Sequence, residues 1–157
     1  MVAADRGAVG QPSGATPFPS TGRLLAVDWG RRRIGLALSD PTQTIATPLA
    51  TLTRRTGRRF PLAKLRAYLD EHAPVAIVVG LPLASDGTEG AAAAEARQTG
   101  TLLATKTGLP VCYHDERMTT ARALSARREA ETRDTTPVDD MAAAVLLQQF
   151  LESRRRA

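Results

Sequence analysis

Apolar positions in this chain fall into short runs and one strict alternation before any helical spacing appears, so the opening half predicts strands. Leu24 to Val27 is a continuous apolar run that predicts a buried strand. Ile34, Leu36 and Leu38 alternate with Gly35, Ala37 and Ser39, the pattern of a half-buried strand. Gly30 and the arginines after it supply the turn between them, which makes the pair a hairpin. Thr44 to Leu52 predicts a third strand, set near a sheet edge by Pro48, which cannot donate to a ladder. The spacing then turns helical at Phe60, Leu62, Leu65 and Leu69, and Pro74 ends that helix ahead of the apolar strand Val75 to Gly80. The loop "LPLASDGTEG" leads to an alanine-rich helix from about Ala91 to Lys106, closed by Gly108 and Pro110. In that loop Asp86-Gly87 predicts a turn and Thr88 a helix cap, while the backbone amides at the helix start offer a phosphate cradle. "LPVCYHDE" predicts a fifth strand. Helices from about Thr120 to Ala130 and from about Val138 to Glu152 follow, joined by a polar loop through Pro137. The order βββαβαβαα belongs to the mixed α/β class.

Residues 1–20 are rich in Gly, Pro, Ser and Ala without apolar periodicity and predict a flexible tail; residues 21–157 predict a single domain. A chain of 157 residues buries a sizeable core but does not hold two full lobes. The single cysteine, Cys112, excludes an intrachain disulfide and a cysteine-cluster metal site; its place in "LPVCY" predicts a buried thiol. No run reaches the roughly 18 apolar residues of a membrane span and no basic-then-apolar leader opens the chain, so the expectation is a cytoplasmic protein without a membrane partner. The net charge is +5, and of 21 basic residues only Lys64 and Lys106 are lysines. Arginine grips phosphate through a planar fork, which points to nucleic acid.

The acids decide what such a protein would do with it. Asp28 closes the first strand, Asp115 and Glu116 close the fifth, and Asp139 and Asp140 fall in the first turn of the last helix. Parallel first and fifth strands would bring their carboxyl ends to one sheet edge, where α/β folds keep their sites. Carboxylates gathered there repel one another unless a divalent cation neutralises them, and hard oxygen ligands suit Mg²⁺ or Mn²⁺. Taken singly, each acid has a plainer reading: Asp28 as a turn former before Gly30, Asp115 and Glu116 as partners of Arg117, Asp139 or Asp140 as a helix cap. Arg31, Arg32 and Arg33 lie beside Asp28 and, with Arg54, Arg55 and Arg117, form the candidate phosphate contacts. Glu89 is a further acid near the site, and the terminal arginines read as a frayed tail.

Four ordered segments, "LLAVDWGRRRIGLALSD", "IVVGLPLASDGTEG", "YHDERMTT" and "VDDMAAAVLL", resemble the YqgF/RuvX family of RNase H-fold nucleases, over about Arg23 to Phe150. The resemblance implies a central mixed five-stranded sheet with helices on both faces and an acidic site for Mg²⁺ or Mn²⁺. It carries the catalytic and metal-binding roles to Asp28, Glu116 and Asp139, with Asp115 and Asp140 as further candidate ligands. In related resolvases and ribonucleases H a carboxylate also ends the fourth strand. Here Gly80 stands in that place, and the resemblance implies that Glu116 substitutes for the missing acid. The implied substrates are the 5′ region of precursor 16S rRNA, a structured RNA, and branched DNA such as Holliday junctions. Resolving a junction adds the expectation of a weak homodimer, since paired cuts need two equivalent sites. Two other classes compete: a non-catalytic nucleic-acid-binding module, and an actin-like ATPase suggested by "VDWG" before a glycine-containing hairpin, which would need a second lobe.

Overall fold

The computed structural model describes residues 18–54, 60–116 and 141–156, together with residues 123, 124, 126, 127 and 129. Five strands, β1 (Leu24–Trp29), β2 (Arg33–Ser39), β3 (Ala46–Thr53), β4 (Ala76–Leu81) and β5 (Val111–Asp115), form one sheet in the order β3-β2-β1-β4-β5. The β1–β2 and β2–β3 pairs are antiparallel, whereas β1–β4 and β4–β5 are parallel. The expected mixed sheet is therefore present, with β1, β4 and β5 ending at the same edge. Pro48 lies on edge strand β3, at a register shift opposite Leu36 and Ala37, where a missing donor costs no central ladder bond.

Helices cover both faces. On one side α1 (Leu62–His72) and α2 (Ala91–Thr107) meet Leu25, Val27, Ile77, Val79 and Tyr113. On the other, α3 (Ala142–Arg156) sets Leu146, Leu147 and Phe150 against Leu24, Ala26, Ala76, Val78 and Cys112. Each fully buried Leu or Phe of this kind contributes roughly 1.5–3 kcal/mol. Period-two alternation thus sorts the residues of β1, β4 and β5 into an α2 face and an α3 face.

Some expectations change at this level. The alternation in β2 predicts one wet face, but all seven residues are buried. Gly35, Ala37 and Ser39 are small because α3 covers them, not polar because water does. Thr88 does not cap α2. Its amide and hydroxyl both donate to Asp86 Oδ1, at 3.0 and 2.7 Å, and the N-cap is Gly90, with no side-chain cap bond. The last helix runs through Arg156 rather than fraying, and Arg154 donates to Pro19 O and Gln43 Oε1. Phe18, inside the stretch expected to be tail, packs edge-on against Phe150 at 5.8 Å. Residues 1–17 and most of the helix expected over Thr120 to Ala130 lie outside the described residues, although 123, 124, 126, 127 and 129 are helical. Cys112 is buried, as its apolar setting predicts. Among the described residues no helix is long and apolar enough to cross a membrane.

Candidate active site

Asp28 is not after β1 but within it, opposite Gly35 on β2 and 1% exposed. It has the parity of Leu24 and Ala26, so its side chain belongs to the α3 face. In the parallel β1–β4 pair Val27 lies level with Val79, which sets Asp28 beside Gly80 one step further along. Adjacent strands lie about 4.8 Å apart. On the far side of Gly80, β5 places His114 in register with it, and the chain then delivers Glu116, whose amide donates to Leu81 O at 3.1 Å.

Gly80 is what lets Glu116 approach the sheet here. A Cβ at that position would stand 2.7 Å from Cδ and from Oε2 of Glu116 and 2.9 Å from Leu146 Cδ1. The space left by the absent side chain is filled by the Glu116 carboxylate, itself 4% exposed. Two carboxylates from two strands thus flank a glycine on one face, beneath α3.

The adjacent acid is placed differently. Asp115 has the parity of Val111 and Tyr113, which face α2, so neighbouring residues of one strand end point to opposite sides of the sheet. Asp139 and Asp140 lie outside the described residues, immediately before the described segment that leads into α3. Among the described residues no group of three His, Cys, Asp or Glu side chains is close enough to hold a metal ion.

The candidate phosphate contacts also separate. Arg31 and Arg32 are exposed on the β1–β2 turn, whereas Arg33 is 5% exposed and begins β2 opposite Thr53. Arg54 is turned inward: Nη1 donates to Gly30 O at 2.8 Å and to Glu95 Oε1 at 3.1 Å, and the guanidinium lies 3.9 Å over the Trp29 ring. Arg55 and Arg117 are outside the described residues. Glu89 is engaged by Arg97, with Nε to Oε1 at 2.8 Å and Nη2 to Oε2 at 2.7 Å, and these bonds hold its carboxyl below the ordinary glutamate value. That fork ties Glu89 to α2 and away from the Asp28 side.

Two further residues lie near the acids. His114, 7% exposed, shares the α3 face with Asp28 and Glu116 and meets the Phe150 ring edge-on at 5.8 Å. Glu129 reaches the turn after Asp28, where its Oε1 accepts the Arg32 amide at 2.8 Å. The alternating pattern of β5 was enough to give the face of His114. Nothing short-range marks Glu129, which is 97 positions from Arg32.

Comparison with known proteins fits this arrangement. The family model "RuvX: Holliday junction resolvase" matches residues 22–153. Relatives named "Putative pre-16S rRNA nuclease" include those of Koribacter versatilis, 41% identical over 88% of this chain and 92% of theirs, and of an Anaeromyxobacter species, 46% identical over 84% and 98%. The relative from Streptomyces coelicolor is 42% identical over 88% of this chain and 85% of its own. Among solved structures, Thermus thermophilus RuvC in complex with a Holliday junction substrate superposes with a TM-score of 0.49 at 17% identity, covering 85% of this chain and 96% of that one. With a family match over residues 22–153 and relatives above 40% identity over most of both chains, this protein belongs to the RuvX family and is a nuclease.

Proposed function

We propose that this nuclease is dependent on a divalent cation, uses Asp28, Glu116 and Asp139 as its acids, and acts on precursor 16S rRNA. The observation that carries the reading is the placement of Asp28 and Glu116 on one face, either side of Gly80 and under α3. The donor set suits Mg²⁺ or Mn²⁺: hard carboxylate oxygens from two strands, drawn together over a position that any larger residue would fill. Bound there, such an ion supplies charge neutralisation for the acids, a more acidic water and stabilisation of a leaving phosphate-ester oxygen.

The chain's own residues do the rest. Asp28 is fixed by its place in the β1–β2 ladder, and Glu116 by the strand end that precedes it. Asp139 comes from the segment entering α3, whose Leu146 already meets the Gly80 level. Asp115 is left out of the ligand set because it faces α2; Arg33 is left out of the phosphate contacts because it is buried, and Arg54 because its guanidinium is taken by Gly30 O, Glu95 and the Trp29 ring. Arg31 and Arg32, exposed beside Asp28, bind phosphates flanking the scissile one.

The RNA substrate rests on the names of the relatives at 38–46% identity. Branched DNA is the second reading, favoured by the description of the family. It demands paired cuts and hence a two-fold dimer. The deciding experiment compares precursor-rRNA fragments with four-way DNA junctions, each with Mg²⁺, with Mn²⁺ and with chelator, while light scattering follows the oligomeric state. Cation-dependent cutting of the RNA by a monomer is the expected result. Paired cuts on the junction by a dimer would replace it with the second reading. Binding without cutting under every condition would overturn the catalytic proposal in favour of a binding module.

A further inference from the structure

Around the turn that follows Asp28, four side chains have no role in the chemistry above: Trp29, Arg54, Glu95 and Glu129. All four backbone hydrogen-bonding groups of Gly30 and Arg32 are engaged, two by backbone groups and two by the side chains of Arg54 and Glu129. The Gly30 amide donates to Arg33 O at 3.1 Å, and the Arg54 amide donates to Arg32 O at 2.8 Å. Arg54 Nη1 donates to Gly30 O, and the Arg32 amide donates to Glu129 Oε1, both at 2.8 Å. Arg54 is itself held against the Trp29 ring, which stacks on Phe60 at 5.7 Å, while Trp29 Nε1 donates to Glu95 Oε1 at 2.9 Å. On the other side Glu129 lies so close over Gly30 that a Cβ there would stand 2.8 Å from its Cδ.

We propose that Glu129 is a positioning residue for Asp28, acting through the Arg32 amide and the backbone of Gly30, with Arg54 holding the same turn from the opposite side. The proposal rests on the reading of Asp28 as an acid of the nuclease site. Asp28 is two residues from Gly30 with only Trp29 between, so a shift of the turn moves the end of β1 and the carboxylate on it. Glu129 Oε2 is buried without a hydrogen bond among the described residues, an unfavourable setting for a carboxylate. A residue kept there for stability alone would be better replaced by an apolar one. What the carboxylate provides is a strong, directional acceptor for one amide. It also ties a residue that follows Glu116 in the chain to the turn that follows Asp28.

The test uses the full chain with Glu129→Ala, Glu129→Gln and Glu129→Asp, the last too short to reach the amide and serving if the alanine variant fails to fold. Hydrogen exchange at the Arg32 amide, kcat and KM on the nucleic acid that the unmodified chain cuts, and calorimetric binding of Mn²⁺ alone are measured. In Glu129→Ala the Arg32 amide should exchange about tenfold faster or more. In the same variant kcat should fall roughly tenfold with KM within about twofold, and Mn²⁺ should bind more weakly, the scale of losing a group that orients a metal ligand. Glu129→Gln, which keeps the acceptor, should recover most of each loss. Unchanged Arg32 exchange, an unchanged kcat in Glu129→Ala, or a glutamine variant as impaired as alanine overturns the proposal. If the unmodified chain cuts nothing, the nuclease reading fails on its own. The positioning role is then decided by Mn²⁺ affinity and Arg32 exchange, and equal values in Glu129→Ala and the unmodified chain overturn it.

Discussion

Asp28 and Asp40 stand at opposite ends of the same hairpin, and they differ in how the fold places a carboxylate. Asp40 turns its oxygens into its own loop: Oδ1 accepts the amides of Thr44 at 2.7 Å and Ile45 at 2.8 Å, and Oδ2 accepts the Thr42 hydroxyl. These bonds, that of Ile45 foremost, hold the Asp40 carboxyl far below the ordinary aspartate value. In the turn after Asp28 the Gly30 amide is taken by Arg33 O and the Arg32 amide by Glu129. Asp28 itself sits inside the ladder, almost wholly buried, on the face that also holds Gly80 and Glu116. A carboxylate served by donors within five residues is part of a loop. One carried into the sheet interior, on the face that holds a second buried carboxylate, is the candidate for chemistry.

The strongest attack on this contrast is to neutralise each aspartate. Asp28→Asn should lower cation-dependent cleavage by at least about 100-fold while circular dichroism stays native. Asp40→Asn should stay within about twofold of the unmodified rate, because it touches no reacting group. Comparable losses in the two variants would erase the distinction. Gly80→Ala tests the cradle. Its methyl must displace either Glu116 or Leu146, so urea titration should show a loss of roughly 1–3 kcal/mol, the usual range for overpacking. Cleavage should fall about tenfold as well, and a neutral result in both would remove Glu116 from the position over Gly80.

The arginines extend the comparison. Replacing Arg31 and Arg32 with Ala should weaken nucleic-acid binding and flatten its log–log salt dependence by roughly 1–2, one phosphate contact for each side chain. Arg54→Ala should leave that slope unchanged. It should cost about 1 kcal/mol of stability instead, since Gly30 O and the exposed Glu95 lose a charged donor. A flattened slope in Arg54→Ala would return it to the binding surface. The smallest effect is the pH dependence of the Asp40 loop. A carboxyl whose value is lowered by folding stabilises above its unfolded value, and that contribution is lost as pH falls through the folded one. The Tm difference between the unmodified chain and Asp40→Asn should therefore be full at neutral pH and shrink on acidification below the usual carboxylate range. Glu95, held low first by the Trp29 indole N–H and then by Arg54, should add an acid-linked change in the fluorescence of Trp29, the sole tryptophan.

Local patterns in the sequence determined the hairpin, the edge position given by Pro48, the helix ended ahead of Pro74, the αL stop at Gly108 and the strand runs that carry Asp28 and Glu116. These are decisions of backbone chemistry and of period two or 3.6, made within a few residues. The motif order also singled out Asp28 and Glu116. Which of Asp115 and Glu116 joins Asp28 is another matter, since two adjacent strand residues necessarily point to opposite faces. The resemblance named Glu116; that its carboxylate fills the space over Gly80 while Asp115 has the parity of the α2 face came from the packed sheet. The same holds for Gly80, a strand-end glycine in sequence and the floor beneath a carboxylate in space. It holds for the three consecutive arginines, of which Arg31 and Arg32 reach solvent and Arg33 does not. Glu129 is the extreme case: its role depends on chain return over 97 positions, and no propensity or spacing records a contact made at that separation. Periodicity determines which residues of an element share a face. What that face meets is decided by the packing of distant segments, where burial, close approach and the partners of each amide are settled together.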